Sequence, residues 1–321
     1  MDPGRFFASS RVLIVAGKGG VGKTVSAATI ASAASRTGRS VLLVEVAGRS
    51  ASAPIFGVEP QGYEQVTAVH EAAEGEPARG RIALRSITPD RALVEWLATH
   101  GFKGLVTRMA SSGVLEVVAT ATPGIKDLLV LGRIKALEHE GEFDLIVVDA
   151  PAAGHALGFL RSPAGVRDAA RTGTIHRQAV EVLELISDPE RCQVVLVTIP
   201  EETPVNELIE TSFAVEDEVG VRLGPVVVNS VLPALAGLGV TPEELDALEL
   251  TAAERAALET AADFRAGRAA LQAEQLARLG AELPLDQVRL PQLFGTSIGP
   301  AELDTLTDAL LHEIERLPEP S

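Results

Sequence analysis

AGKGGVGKTVSAAT, residues 16–29, carries at residues 17–24 the spacing G-x-x-x-x-G-K-T, with a second lysine, Lys18, directly after the first glycine. In this spacing the glycines let the backbone wrap tightly, so that successive N–H groups point inward at a phosphate beside the positive end of a helix dipole. Lys23 is placed to neutralise β- and γ-phosphates, and the Thr24 hydroxyl to take a position on Mg²⁺. Gly17, Lys18, Gly19, Gly20, Val21, Gly22, Lys23, Thr24 and Val25 are therefore the expected nucleotide-binding set. A phosphate loop needs a strand before it and a helix after it. RVLIVA is a short apolar run suited to a buried strand, TVSAATIASAASRTG an alanine-rich helix closed by Gly38, and SVLLVEV a second strand. Together they make a βαβ unit.

Outward from this unit, RIALRSI, FDLIVVDA, CQVVLVTI and GPVVVNSV read as further strands. Most are continuously apolar, as expected of a mostly parallel sheet covered by helices on both faces. Helical patterns fill residues 90–140 and 161–188 and read as a subdomain inserted on one side of the sheet. A third pattern, TAAERAALETAADFRAGRAALQAEQLARLG, precedes the C-terminal segment, and the final LPEPS reads as a frayed tail. There is no internal repeat, so the expectation is one α/β phosphate-loop domain over residues 1–321.

Composition excludes several classes. The chain is 46% hydrophobic but 3% aromatic, so its core must be aliphatic. A formal charge of −16 argues against nucleic acid as the main partner, since phosphate-backbone binding needs clustered Lys and Arg. The N-terminus lacks the charged and apolar regions of a signal peptide, and the apolar run GPVVVNSVLPALAGLGV is too short and broken to span a bilayer; a cytoplasmic protein without stable membrane insertion is expected. Cys192 is the one cysteine, which rules out an internal disulfide, a C-x-x-C zinc site and an iron–sulfur cluster. Its place in an apolar strand suits a small buried residue.

KGGVGKT resembles the deviant Walker A loop of the SIMIBI-class ATPases, in which the additional lysine, here Lys18, reaches across a dimer interface to the partner's nucleotide. That placement would put charge where it develops during phosphoryl transfer. FDLIVVDAPAAGHALGFLRSP narrows the resemblance to the ArsA family, whose signature runs from an aspartate through a small-residue turn to Gly-His, a leucine and a Phe-Leu pair. Here those are Asp149, Gly154, His155, Leu157, Phe159 and Leu160. Asp149, at a strand end, suits a carboxylate holding Mg²⁺ through water; His155 is assigned to switch-loop structure. ITPDRALVEWL is similar to the family's acidic-proline element. PVVVNSVLP looks like the strand whose asparagine, here Asn229, reads adenine, which an amide donor and acceptor would suit. VRLPQLFGTSIGPAELDTL resembles the section in which the loop after a proline, here Pro291, closes over the base.

The sequence departs from the family in places. Ungapped alignment puts Ala47 where the family has an aspartate that orients the attacking water, and a methyl group cannot do this. Glu45 is near, but its direction along the strand is open. The cysteine cluster of arsenite pumps, the zinc clamp of tail-anchored-protein targeting ATPases and the latter's methionine-rich client helices are all missing. The resemblance thus implies a MgATP-hydrolysing dimer, formed with an identical chain or a paralogous subunit, with Lys18, Lys23 and Asp149 catalytic, Thr24 and Asp149 toward the metal, and a protein client left open. The alternatives are a non-catalytic ATP-dependent assembly subunit and a MinD- or ParA-type positioning ATPase.

Overall fold

Residues 1–46, 50–59, 66–69, 79–99, 124–151, 153–234 and 250–319 are described by the computed structural model. The described residues form a sheet of nine strands. Its strands are β1 (Val12–Gly17), β2 (Val41–Val46), β3 (Val66–Val69), β4 (Ile82–Ile87), β5 (Leu145–Asp149), β6 (Cys192–Thr198), β7 (Arg222–Leu223), β8 (Val226–Val231) and β9 (Gln287–Pro291). They lie in the order β3-β4-β2-β5-β1-β6-β8-β9, with β7 beside β6. Every pairing is parallel except β3 with β4. This is the mostly parallel α/β sheet that the apolar runs imply.

Alternation along the strands divides the core in two. Val12, Ile14, Leu42, Val44, Ile146 and Val148 face one layer, made of α3 (Pro89–Thr99), α4 (Ile125–Glu140), α5 (Ala153–Ala169), α6 (Thr174–Ser187) and α7 (Glu202–Ala214). Leu13, Val15, Val41, Leu43, Leu145 and Val147 face the other, made of α1 (Pro3–Ala8), α2 (Lys23–Arg36) and α9 (Pro300–Glu315). Both layers are mostly aliphatic, with Phe143 and Phe159 in the first and Phe7 in the second, each fully buried Val, Leu or Ile contributing about 1.5–3 kcal/mol.

Helix α2 shows why the sequence after the phosphate loop is so rich in small residues. All residues from Ser26 to Ser35 are buried, because α2 lies between the sheet and α9. Ala and Ser let it approach both; Thr29 donates to the Val25 carbonyl at 2.8 Å and Ser35 to the Gly80 carbonyl at 2.6 Å. Arg36 ties its end to Asp304 and Asp308 of α9.

The long helix α8 (Ala252–Glu282) begins with a capping box, Thr251 and Glu254 satisfying each other's backbone N–H groups. No helix among the described residues is long and apolar enough to cross a membrane. The C-terminal LPEPS is not frayed at its start. Leu317 is buried, and its carbonyl accepts from the Met1 ammonium at 2.7 Å. The helical stretch expected at 90–140 includes residues 100–123, which lie outside the described residues.

Candidate nucleotide-binding site

The carboxyl ends of β1, β2, β5, β6 and β8 bring together Gly17, Glu45, Asp149, Thr198 and Asn229, the edge at which open parallel sheets bind ligands. The phosphate loop leaves β1 at Gly17, where a Cβ would stand 2.3 Å from the Val197 carbonyl oxygen; only glycine lets β1 and β6 run this close. The loop enters α2 at Gly22, with φ +88°. A Cβ there would lie 2.2 Å from Asn229 Nδ2.

Gly22→Ala therefore meets both a left-handed backbone and a buried amide. The expected cost is about 1–3 kcal/mol. Falling on the loop's conformation, it lowers nucleotide affinity roughly 5- to 150-fold. Titration with a fluorescent ATP analogue checks this; unchanged affinity would contradict the geometry.

Lys23 and Thr24 open α2. The Lys23 ammonium donates to the Lys18 carbonyl at 3.0 Å, across the loop's mouth. Burial pushes it below the usual lysine range, against the pull of Asp149. Thr24 Oγ1 donates to Asp149 Oδ2 at 2.6 Å. The other carboxylate oxygen, Asp149 Oδ1, is buried and has no hydrogen-bond partner among the described residues. Burial first of all pushes the Asp149 carboxyl up to about 6; the Thr24 hydrogen bond opposes this, the neighbouring Glu45 carboxylate adds to it, and Lys23 opposes it.

Glu45 lies in register beside Asp149. Strand alternation places it on the side of Val41 and Leu43, the α2 side. It is 6% exposed, and its Oε1 accepts from the Ser52 N–H at 2.5 Å. The direction left open by the sequence is thus toward the phosphate loop, with the carboxylate engaged by the chain that follows β2. Ala47 and the His155 side chain lie outside the described residues.

Hard oxygen ligands suit Mg²⁺, which takes few protein ligands and keeps waters and phosphate oxygens. A Thr hydroxyl beside a buried carboxylate with one unused oxygen, at the loop that offers N–H groups to phosphate, fits that requirement.

Asn229 is 9% exposed, and its Nδ2 donates to the Val21 carbonyl at 3.0 Å. Pro291 ends β9 beside Val231, on the same sheet edge. The residues before it form a strand that the sequence reading did not identify, with Val288 and Leu290 turned into the α2-side core, and irregular chain follows it up to α9, as expected of a loop after the proline. Val25 packs against that core in the first turn of α2. Lys18 forms a salt bridge to Glu207 Oε1 of α7 at 2.5 Å. Sequence reasoning missed Glu207, which stands 189 residues away and carries no local signal. Cys192 is fully buried and its thiol is pushed up to about 12 by burial, so it is an inert packing residue.

A family profile described as anion-transporting ATPase matches residues 10–172. The ATPase BagA of Mycobacterium tuberculosis is 34% identical over 233 residues, covering 70% of this chain and 66%, just under two thirds, of the relative. The ATPase get3 of Schizosaccharomyces japonicus is 28% identical over 155 residues, covering 48% of this chain and 44% of its own. The ATPase GET3 of Chaetomium globosum is 29% identical over 167 residues, covering 48% and 43%.

Proposed function

The chain belongs to the anion-transporting ATPase family, the ArsA type, and on that premise we propose that it binds MgATP at residues 17–24 and hydrolyses it as one subunit of a dimer. The observation that carries this reading is the convergence of Lys23, Thr24 and Asp149 at the ends of β1 and β5. Mg²⁺, when bound, supplies charge neutralisation on the phosphate oxygens. The loop's N–H groups and the α2 N-terminus hold the phosphates. The Lys23 ammonium leaves the Lys18 carbonyl to face them. Thr24 would give its oxygen to the metal, and Asp149, as a carboxylate, would orient the metal's water shell. Asn229 and Pro291, on the β8–β9 edge, are proposed to read the base.

Lys18 is proposed to act on the nucleotide of the partner subunit, identical or paralogous. Nucleotide state would then open and close the helices of 90–140 and 161–188 around a protein client.

In the single chain Lys18 is held by Glu207, and a lysine cannot both keep that bridge and reach a partner. Both side chains are more than a third exposed, so the bridge is worth only about 0.5–1 kcal/mol. A dimer of identical chains breaks two such bridges, so Glu207→Gln is expected to lower the protein concentration giving half-maximal turnover roughly 5- to 30-fold, measured by ATPase assay across a dilution series. A rise in that concentration would oppose the proposal.

A second reading, favoured by the alanine at position 47, is an assembly subunit in which ATP only holds the dimer together. Sedimentation with ATP and with a non-hydrolysable analogue, beside a turnover assay, separates the two. ATP-driven dimers without turnover support the second reading, whereas turnover that follows dimer formation supports the first.

A further inference from the structure

Helix α8 buries only Gln272 and Leu279. Gln272 stands where an apolar stripe would continue, since Leu276, Leu279 and Leu283, four, seven and eleven residues on, pack into the core beneath the α3–α7 layer. A buried glutamine in such a position needs partners for both ends of its amide. Gln272 Oε1 accepts from the Leu232 N–H at 2.8 Å, and its Nε2 donates to the Ser230 carbonyl at 3.2 Å. The side chain thus offers a peptide-like acceptor and donor to two backbone groups of the chain at the end of β8.

That place is irregular. The register of β8 against β9 shifts between Val228 and Val231, and Ser230 has φ +57°, a left-handed conformation that non-glycine residues seldom adopt. Such bulges re-aim the neighbouring side chain. The neighbour here is Asn229, whose Nδ2 holds the Val21 carbonyl at 3.0 Å, against Gly22.

We infer that Gln272 is a positioning residue for the phosphate loop: it fixes the Ser230 bulge, the bulge fixes Asn229, and Asn229 holds Val21 and Gly22 in the conformation that presents their N–H groups to phosphate. Helix α8 is thereby linked to the loop through the hydrogen bonds of Gln272 to the Ser230 bulge, the chain from Ser230 to Asn229, and the hydrogen bond of Asn229 to Val21. The inference rests on the reading of residues 17–24 as a nucleotide site and adds to it a residue from a different helix.

The test is Gln272→Leu, which continues the apolar stripe but makes neither hydrogen bond. Should it fail to fold, Gln272→Glu replaces it; this keeps the acceptor for Leu232 and loses the donor to Ser230. Binding of inorganic pyrophosphate and of MgATP is measured by calorimetry, and hydrogen exchange is followed in the ligand-free protein over residues 18–24. The expected result is a roughly 5- to 30-fold loss of affinity for both ligands and faster exchange in the loop. Wild-type affinity for pyrophosphate, or a loss confined to ATP, overturns the inference while leaving the nucleotide site intact. Absence of pyrophosphate and ATP binding by the wild-type protein would instead overturn the site itself, and the inference with it.

Discussion

Lys23→Ala is expected to lower MgATP turnover by roughly 10²–10³-fold, the range found when one preorganised donor to developing charge is removed, while leaving the fold intact. The ammonium makes a single bond within its own loop, to the Lys18 carbonyl. Burial opposes its charge, so its loss costs the nucleotide-free protein little. Steady-state phosphate release and a thermal unfolding curve check the two halves. Turnover within threefold of wild type would show that hydrolysis, if present, does not pass through this loop.

Asp149→Asn is expected to separate stability from function. Asp149 has its folded-state pKa pushed from 3.8 to about 6. Between those pH values the folded state binds more protons than the unfolded one, so the residue's contribution to stability falls as pH rises through that window and stays low above it. An uncharged amide removes this penalty and can still accept from Thr24. At pH 7.5 the nucleotide-free variant should gain about 1–3 kcal/mol of unfolding free energy, and at pH 4 the gain should vanish. Denaturant titrations at the two pH values measure it. The same variant lacks the carboxylate that orients the metal's waters, and its apparent Mg²⁺ affinity and turnover should drop roughly 10- to 100-fold. A variant destabilised at pH 7.5 would contradict the assignment of Asp149 as a carboxylate kept under strain for a cation.

What could be read from the sequence was what is local. The β1–loop–α2 unit follows from glycine spacing and a run of small residues within a single stretch, and each long parallel strand announces itself as an apolar run bounded by turns. Asp149 was legible because strand β5 ends on it. What was not legible depends on pairs far apart in the chain. Glu207 meets Lys18 across 189 residues. Gln272 looks like one polar residue among many in α8, although its spacing to Leu276, Leu279 and Leu283 was a signal that could have been used. The direction of Glu45 becomes clear only when Val41 and Leu43 are known to face α2. Strands β3 and β7 are short, and β9 carries Arg289 and Pro291 in place of a continuous apolar run. Its two inward residues, Val288 and Leu290, are too few for alternation to stand out.

The central claim is that Lys18 completes the site of another subunit. Its most direct test is specific MgATP turnover of the purified chain at increasing protein concentration, beside Lys18→Ala. The account predicts turnover per subunit that rises with concentration to a plateau and is lost in the variant. It also predicts that mixing Lys18→Ala with Lys23→Ala restores part of it, since each mixed dimer keeps one site with Lys23 in place and Lys18 supplied from across the interface. Turnover independent of concentration, or a mixture as inactive as its components while wild type is active, would contradict it.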